Sequence, residues 1–349
     1  MSNTDRPVPR CGVAWLKQMI TQSLGVLIHC RLLLPRPTRP RRAAAKAINM
    51  SGNDEPMPTP ATEAPTCNAE DDIKTMELYN DIQRIENELK ARGISDDDSV
   101  DPHVLSSIDS MHYEGDDAIV AAIKALNLAS TSEVLDIGSG FGGPARLLAT
   151  EAKCHVVAME LQRDIHEMAT SLTKRCGLDG LVRHSHGDIL HCDMSTIGAG
   201  PGSFDAVVSW LVFLHISDKK SLFTKCKEML KVNQGKLFCD DFFMLNPFTS
   251  EQERSLKNDV YCADLPSREE YIQLLEGCGF HNVIFEDRTG PWTAYVNERL
   301  KAFVANRERF EGIHGESPYK HLLHFYTAIV NLFNSGSLGG VRITAEKKP

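Results

Sequence analysis

From residue 133 onward, short apolar runs alternate with helical stretches. The series reads "EVLDIG", a helix over 143–152, "CHVVAME", a helix over 162–176 and "LVRHSHGD". It continues with "FDAVVSWL", a helix over 218–231, "GKLFCDDFF", a helix over 267–278 and "HNVIFED". No other feature constrains the fold as much. Short strands alternating with helices make a parallel sheet, with helices covering both of its faces. Two departures from the alternation mark where a ligand crevice is expected. Residues 243–266 form a long insertion after the fifth strand, and residues 291–334 make one or two aromatic-rich helices before a final strand, "GGVRITAEK".

The first strand runs into a glycine turn. "VLDIGSGFGGPARLLA" sets Gly138, Gly140 and Gly143 in the G-x-G-x-x-G spacing of dinucleotide sites. The glycines let the chain turn sharply and approach a ligand without Cβ atoms in the way. The helix that follows aims its N-terminus at the site and favours negative groups. That suits the pyrophosphate of NAD and equally the carboxylate of S-adenosylmethionine. The residues around the turn separate the two. Asp136 precedes it, where a carboxylate can meet the methionine amine. Glu160 ends the second strand, in reach of ribose hydroxyls. Asp188 in "HGDIL" is placed for the adenine amine, with Ile189 packing on the ring. Each has a plainer role too: Asp136 as a turn cap, Glu160 as a solvated strand end.

With "VLDIGSGFGG", "VVAMEL", "GDIL" and "FDAVVSWLVFLHI" at these intervals, residues 110–346 resemble the class I, Rossmann-like, S-adenosylmethionine-dependent methyltransferases. The resemblance implies a seven-stranded α/β sheet of order 3-2-1-4-5-7-6, its seventh strand (about 338–346) antiparallel to the rest. It also implies S-adenosylmethionine as cofactor. The residues to hold it are Asp136, Gly138, Ser139, Gly140, Gly143, Glu160, Leu161, Asp188, Ile189 and Ser209.

Fold fixes the donor, not the acceptor. The segment "SWLVFLHISDKKSLF" looks like that of the phosphobase N-methyltransferases, S-R-D-x-x-L-H. Ser209 and His215 keep their places, while Trp210 and Leu211 replace the Arg and Asp. "MHYEG" matches the "HY-x-G" opening of sarcosine/dimethylglycine N-methyltransferases, which also share the "GSGxGGPAR" loop. On these matches Tyr113 and His215 form a catalytic dyad over the methyl acceptor. His215 has an unperturbed pKa suited to relaying the amine proton, although it is also placed to cap the helix of "HISDKK". In the insertion, the phosphate-reading Arg of the phosphobase enzymes falls on Tyr261, which disfavours a phosphorylated amine. Trp210, Phe213, Phe242, Tyr261 and Trp292 are candidates to hold a methylated ammonium by cation–π attraction, or else core aromatics. Arg254, Arg268 and Arg288 are candidates for a substrate carboxylate.

The expected function is therefore methyl transfer to the nitrogen of a small amine or amino acid, such as a betaine precursor. Two alternatives stand beside it. One is C- or O-methylation of a sterol- or quinone-like lipid, for which Asp240, Asp241, Asp259 and Asp264 offer an acid-rich site. The other is a protein that binds S-adenosylmethionine without chemistry.

Charge bears on partners. The chain of 349 residues carries a net charge of −9, yet residues 1–50 hold nine Lys/Arg against the single acid Asp5. The rest has 29 basic and 46 acidic residues, which speaks against a nucleic-acid partner. Ten cysteines without CxxC or metal-ligand spacing suggest free thiols and no metal site. Residues 1–72 read as a disordered extension or targeting segment followed by a linker, too interrupted for stable membrane insertion. The cytoplasm is the expected compartment, or a mitochondrion or plastid if residues 1–49 are a transit peptide. Residues 73–110 are expected as an N-terminal lid or packing helix, and residues 111–349 as the methyltransferase domain. The oligomeric state is open.

Overall fold

In a computed structural model, the described residues are 81–349 except Ala263, together with Ile73, Met76 and Tyr79. They fall within one compact unit of the chain. The extension and linker expected over residues 1–72 lie outside the described residues.

Seven strands form one sheet of order β3-β2-β1-β4-β5-β7-β6. They are β1 (Glu133–Ile137), β2 (His155–Glu160), β3 (Val182–His186), β4 (Ala206–Trp210), β5 (Lys236–Met244), β6 (Phe280–Asp287) and β7 (Leu338–Lys347). β1 pairs parallel with β2 and β4, while β7 runs antiparallel between β5 and β6. The order reverses between β1 and β4, so a crevice opens beyond their carboxyl ends.

Along the chain the helices are α1 (Arg84–Ala91), α2 (Pro102–Asp109), α3 (Asp116–Leu126), α4 (Gly143–Ala152), α5 (Arg163–Arg175), α6 (Lys219–Met229), α7 (Ser250–Asp259), α8 (Arg268–Gly277), α9 (Thr289–Ala305), α10 (Arg307–His314) and α11 (Glu316–Asn334). Local chemistry explains several starts. Thr249 with Gln252 and Ser267 with Glu270 form capping boxes on α7 and α8. Asp218 caps α6 through the Ser221 N–H.

Two expectations change. The apolar spacing from Met76 to Leu89 predicts one helix ending near Gly93, yet the described helix is the shorter α1. A separate helix, α2, follows because Pro102 favours an extended Asp101, whose carboxylate then caps the His103 N–H. The aromatic stretch holds three helices rather than one or two, since the chain breaks at Asn306 and at Gly315, which takes φ +94°.

Apolar side chains pack on both sheet faces. One cluster joins Leu135, Val207, Phe223, Leu237 and Tyr271; the other joins Ile119, Val134, Leu148, Val156 and Phe238. A third, around Tyr113, Phe242, Trp292, Phe325 and Phe333, closes the end of the sheet from which the site opens.

Candidate functional site

A cavity of about 370 Å³ lies beyond the carboxyl ends of β1, β2 and β4, within the size range of small-molecule sites. Of the residues singled out from sequence, Tyr113, Gly138, Ser139, Gly140, Glu160, Leu161, Asp188, Ile189, Trp210, His215 and Phe242 line it. The others stand behind the wall. Ser209 Oγ donates to the Ile137 carbonyl at 2.8 Å. Phe213 packs edge-on against Phe223, in the core below. Trp292 is fully buried, with its ring 5.1 Å from that of Tyr113. A Cβ on Gly143 would stand 2.8 Å from Asp109 Oδ1, so this glycine serves the contact between α4 and α2 rather than the cavity.

At the turn after β1, Gly138 takes φ +71°, and a Cβ there would meet Val212 at 2.4 Å. The amides of Gly138 and Ser139 donate to the Met159 carbonyl at 2.9 and 2.8 Å, tying the turn to β2. Glu160 accepts from the Gly140 and Gln162 amides at 2.8 and 2.9 Å, and still faces the cavity. Asp188 accepts from the Leu190 amide at 2.9 Å.

Both oxygens of Asp136 and the hydroxyl of Ser139 are buried without a hydrogen-bond partner. Burial, reinforced by the charge of Glu160, pushes the Asp136 carboxyl up to about 8. Unmatched buried acceptors call for a donor, and a donor that is also cationic suits them best. A pyrophosphate would bring two more anions to this end of the cavity, beside two carboxyl groups. An α-amino acid moiety, whose ammonium can turn to Asp136, fits the donor set.

The other end of the cavity is built by longer connections. A short helical turn, Phe213–His215, follows β4. It is pinned by the Leu214 amide on Asp241 Oδ1 at 3.0 Å and by Lys219 Nζ on the Phe213 carbonyl at 2.8 Å. His215 Nδ1 lies 3.1 Å from the Tyr261 carbonyl. A carbonyl only accepts, so Nδ1 carries the hydrogen and Nε2 keeps its lone pair. Burial lowers the His215 pKa to about 4, so the ring is neutral at pH 7. Leu211 and Tyr261, on either side of this turn, take φ +56° and +55°. Left-handed backbone at non-glycine residues stores strain of the kind found at ligand sites.

Tyr113 and His215 share the cavity but not a hydrogen bond. The Tyr113 phenol pairs with Arg299, and burial pushes it up to about 12, leaving it a neutral donor. Its segment is anchored by Glu114, which takes φ +64° and binds Arg288 and Arg342. Arg342 in turn grips Asp240 through two contacts of 2.8 and 2.7 Å.

This network redirects several expectations. Arg288 is engaged by Glu114 and Glu286, and Arg268 lies over the Phe285 ring. Neither they nor Arg254 line the cavity. Asp240 is held by Arg342, Asp241 by Tyr271 and the Leu214 amide, and Asp259 by Ser255 and His324. Three of the four acids that favoured a lipid acceptor are thus held within the fold, and the fourth, Asp264, is exposed and does not line the cavity. Arg84, Arg299, Tyr295 and Tyr326 do line the cavity. Sequence spacing gives no sign of the two arginines, because α1 and α9 reach the site only through tertiary packing.

Residues 135–239 match the methyltransferase domain family. The matched stretch runs from β1 to the middle of β5 and contains the glycine turn, Glu160, Asp188 and His215. Among similar proteins is phosphoethanolamine N-methyltransferase 1 of Zea mays, 30% identical over 215 residues, which are 61% of this chain and 41% of that enzyme. Another is the glycine/sarcosine/dimethylglycine N-methyltransferase of Actinopolyspora halophila, 24% identical, covering 62% of this chain and 37% of that one. The matched stretch is thus well under half the length of either relative. In fold, the chain is similar to phosphoethanolamine N-methyltransferase 2 of Haemonchus contortus, with TM-score 0.66, 19% identity, and 82% and 61% of the two chains covered. A mycolic acid cyclopropane synthase gives TM-score 0.57 at 16% identity, with 66% and 82% covered. The methyltransferase sheet order and its antiparallel seventh strand are present as the sequence motifs imply. No helix among the described residues is long and apolar enough to cross a membrane.

Proposed function

We propose that the chain transfers a methyl group from S-adenosylmethionine to the nitrogen of a small amine or amino acid. One observation carries this most: the unpartnered Ser139 hydroxyl lines the cavity into which a neutral His215 also faces, and the unpartnered Asp136 carboxyl stands behind that wall, beside the lining residue Ile137. In this proposal Asp136 takes the methionine ammonium, Glu160 the ribose hydroxyls, and Asp188 with Ile189 the adenine. Bound there, S-adenosylmethionine supplies a methyl carbon already activated by its sulfonium, so alignment with the acceptor provides much of the rate.

The protein's remaining task is to present an unprotonated nitrogen. A free amine with a lysine-like pKa near 10 is mostly protonated at pH 7. An apolar, tyrosine-lined cavity disfavours the ammonium by desolvation, and the guanidinium of Arg299 adds a like charge. His215 Nε2 is the acceptor for the departing proton, with Nδ1–H fixed on the Tyr261 carbonyl. Tyr113 stays a neutral phenol and positions the acceptor by its ring and hydroxyl. The likeness to N-methyltransferases of phosphoethanolamine, sarcosine and dimethylglycine supports nitrogen as the acceptor atom. Residues 111–349 make up the catalytic domain in this proposal, with the described residues of 73–110 packed on it.

Incubation of the full chain with labelled S-adenosylmethionine and a panel of amines, amino acids and sterols tests the proposal. Label is expected on amine nitrogen. Label on a sterol alone would overturn the amine reading, and no binding of S-adenosylmethionine would overturn both.

A further inference from the structure

Arg299, on α9, lines the cavity in company with Tyr113, His215 and Phe242. Its guanidinium carbon sits 4.5 Å from the centre of the Tyr326 ring, 5.0 Å from Tyr113 and 5.7 Å from Tyr295. Nε and Nη2 are buried and have no hydrogen-bond partner. Among the described residues no carboxylate pairs with it. Other core arginines differ: Arg146 binds Asp109, Arg288 binds Glu114, and Arg342 binds Asp240 and Glu114. Arg84 also lines the cavity and also has Nε and Nη2 unpartnered, but it lies over the Phe141 ring beside the glycine turn, within the field of Asp109 and away from the rings around Arg299.

A buried cation without an anion is costly, and a fold tolerates it where a ligand completes the pair. The surroundings say which anion. Three tyrosine rings surround one guanidinium, which offers a single positive charge and a two-pronged fork, matching a monoanion with two oxygens rather than a phosphate dianion.

Resting on the amine reading above, we propose that Arg299 anchors a carboxylate carried by the acceptor, which is therefore an amino acid rather than a neutral or phosphorylated amine. The carboxylate seats against the guanidinium fork. The nitrogen then lies among the aromatic rings, towards His215 and the methyl donor.

The test compares dimethylglycine with dimethylaminoethanol, in which a hydroxyl replaces the carboxylate, and with phosphoethanolamine. In the full chain, Arg299→Met should lower the kcat/KM ratio of dimethylglycine to dimethylaminoethanol about 10–100-fold, the range of charge-assisted hydrogen bonds. Affinity for S-adenosylmethionine should hold, and Tm of the ligand-free chain should not fall, because a buried unpaired charge is removed. Should that variant not fold, Arg299→Lys keeps the charge without the fork, and its KM for dimethylglycine should rise more than that for dimethylaminoethanol. An equal loss for both acceptors, or a wild-type preference for phosphoethanolamine, overturns the assignment. If no amine is methylated at all, it is the N-methyltransferase reading that fails. Calorimetric titration of dimethylglycine into the S-adenosylhomocysteine-loaded chain then decides the role of Arg299. Weaker binding to Arg299→Met supports it, and equal or absent binding by both proteins overturns it.

Discussion

The two ends of the cavity are made differently. At the donor end, the ligand-facing groups come from consecutive stretches of β1, β2 and β3, held by main-chain bonds such as those from Gly138 and Ser139 to Met159. At the acceptor end, Tyr113, His215 and Arg299 come from segments far apart in the chain. The segment of Tyr113 is anchored by side-chain links that run from Glu114 to Arg288 and Arg342 and on to Asp240. The donor end is a local motif and the acceptor end a tertiary construction. A sheet's carboxyl edge can therefore keep one cofactor site while acceptor chemistry changes through residues that share no local pattern.

That contrast is best broken at its strongest link. Arg342→Met leaves Asp240 buried without its cation and should cost about 3–5 kcal/mol, read by urea denaturation. Turnover should fall in the protein that remains folded, with affinity for S-adenosylmethionine much less affected. Equal loss of both would show that the ends are not separable. His215→Ala should lower kcat about 10²-fold, and Tyr113→Phe less, each with nearly unchanged binding of S-adenosylmethionine by calorimetry. Unchanged turnover in both variants would remove them from the mechanism.

Asp136→Asn tests the donor end in the opposite sense. It should weaken S-adenosylmethionine about 10–100-fold, as loss of a charge-assisted bond does. Without ligand it should raise Tm, because a buried unpartnered carboxyl is removed. The sign of the pH dependence follows from the raised pKa of about 8. A carboxyl that folds protonated contributes its stability at low pH and loses it as pH rises towards 8. The gain from Asp136→Asn should therefore be larger at pH 8 than at pH 5, and a constant gain would contradict the burial argument.

The smallest effect sharpens the acceptor end. Burial lowers His112 and His215 to about 4. The folded chain then binds fewer protons than the unfolded one below pH 6.5, so their stabilising effect is whole above that pH and fades as it falls towards 4. Turnover should accordingly show no histidine step between pH 6 and 8, a prediction checked by a pH–rate profile.

Much of this was legible before any coordinates. Alternating apolar runs report parallel strands under helices, and a glycine turn flanked by Asp136, Glu160 and Asp188 reports a ligand edge, because each signal lies within a few residues. Arg146 of "GGPAR" shows where that stops. In sequence it belongs to the loop, yet its side chain is buried against Asp109 of α2 and serves packing. Asp240, Asp241 and Asp259 looked available and are paired, while Arg299 looked like any helix arginine.

By itself, then, the sequence determined the alternation of strands and helices and the glycine turn after β1, since periodicity and turn chemistry are local, while the strand order came from the family resemblance. Only the tertiary structure decided which charges are neutralised within the fold and which are left facing the cavity. Pairing depends on distances between segments as remote as residues 114, 240, 299 and 342, and no local pattern encodes those distances.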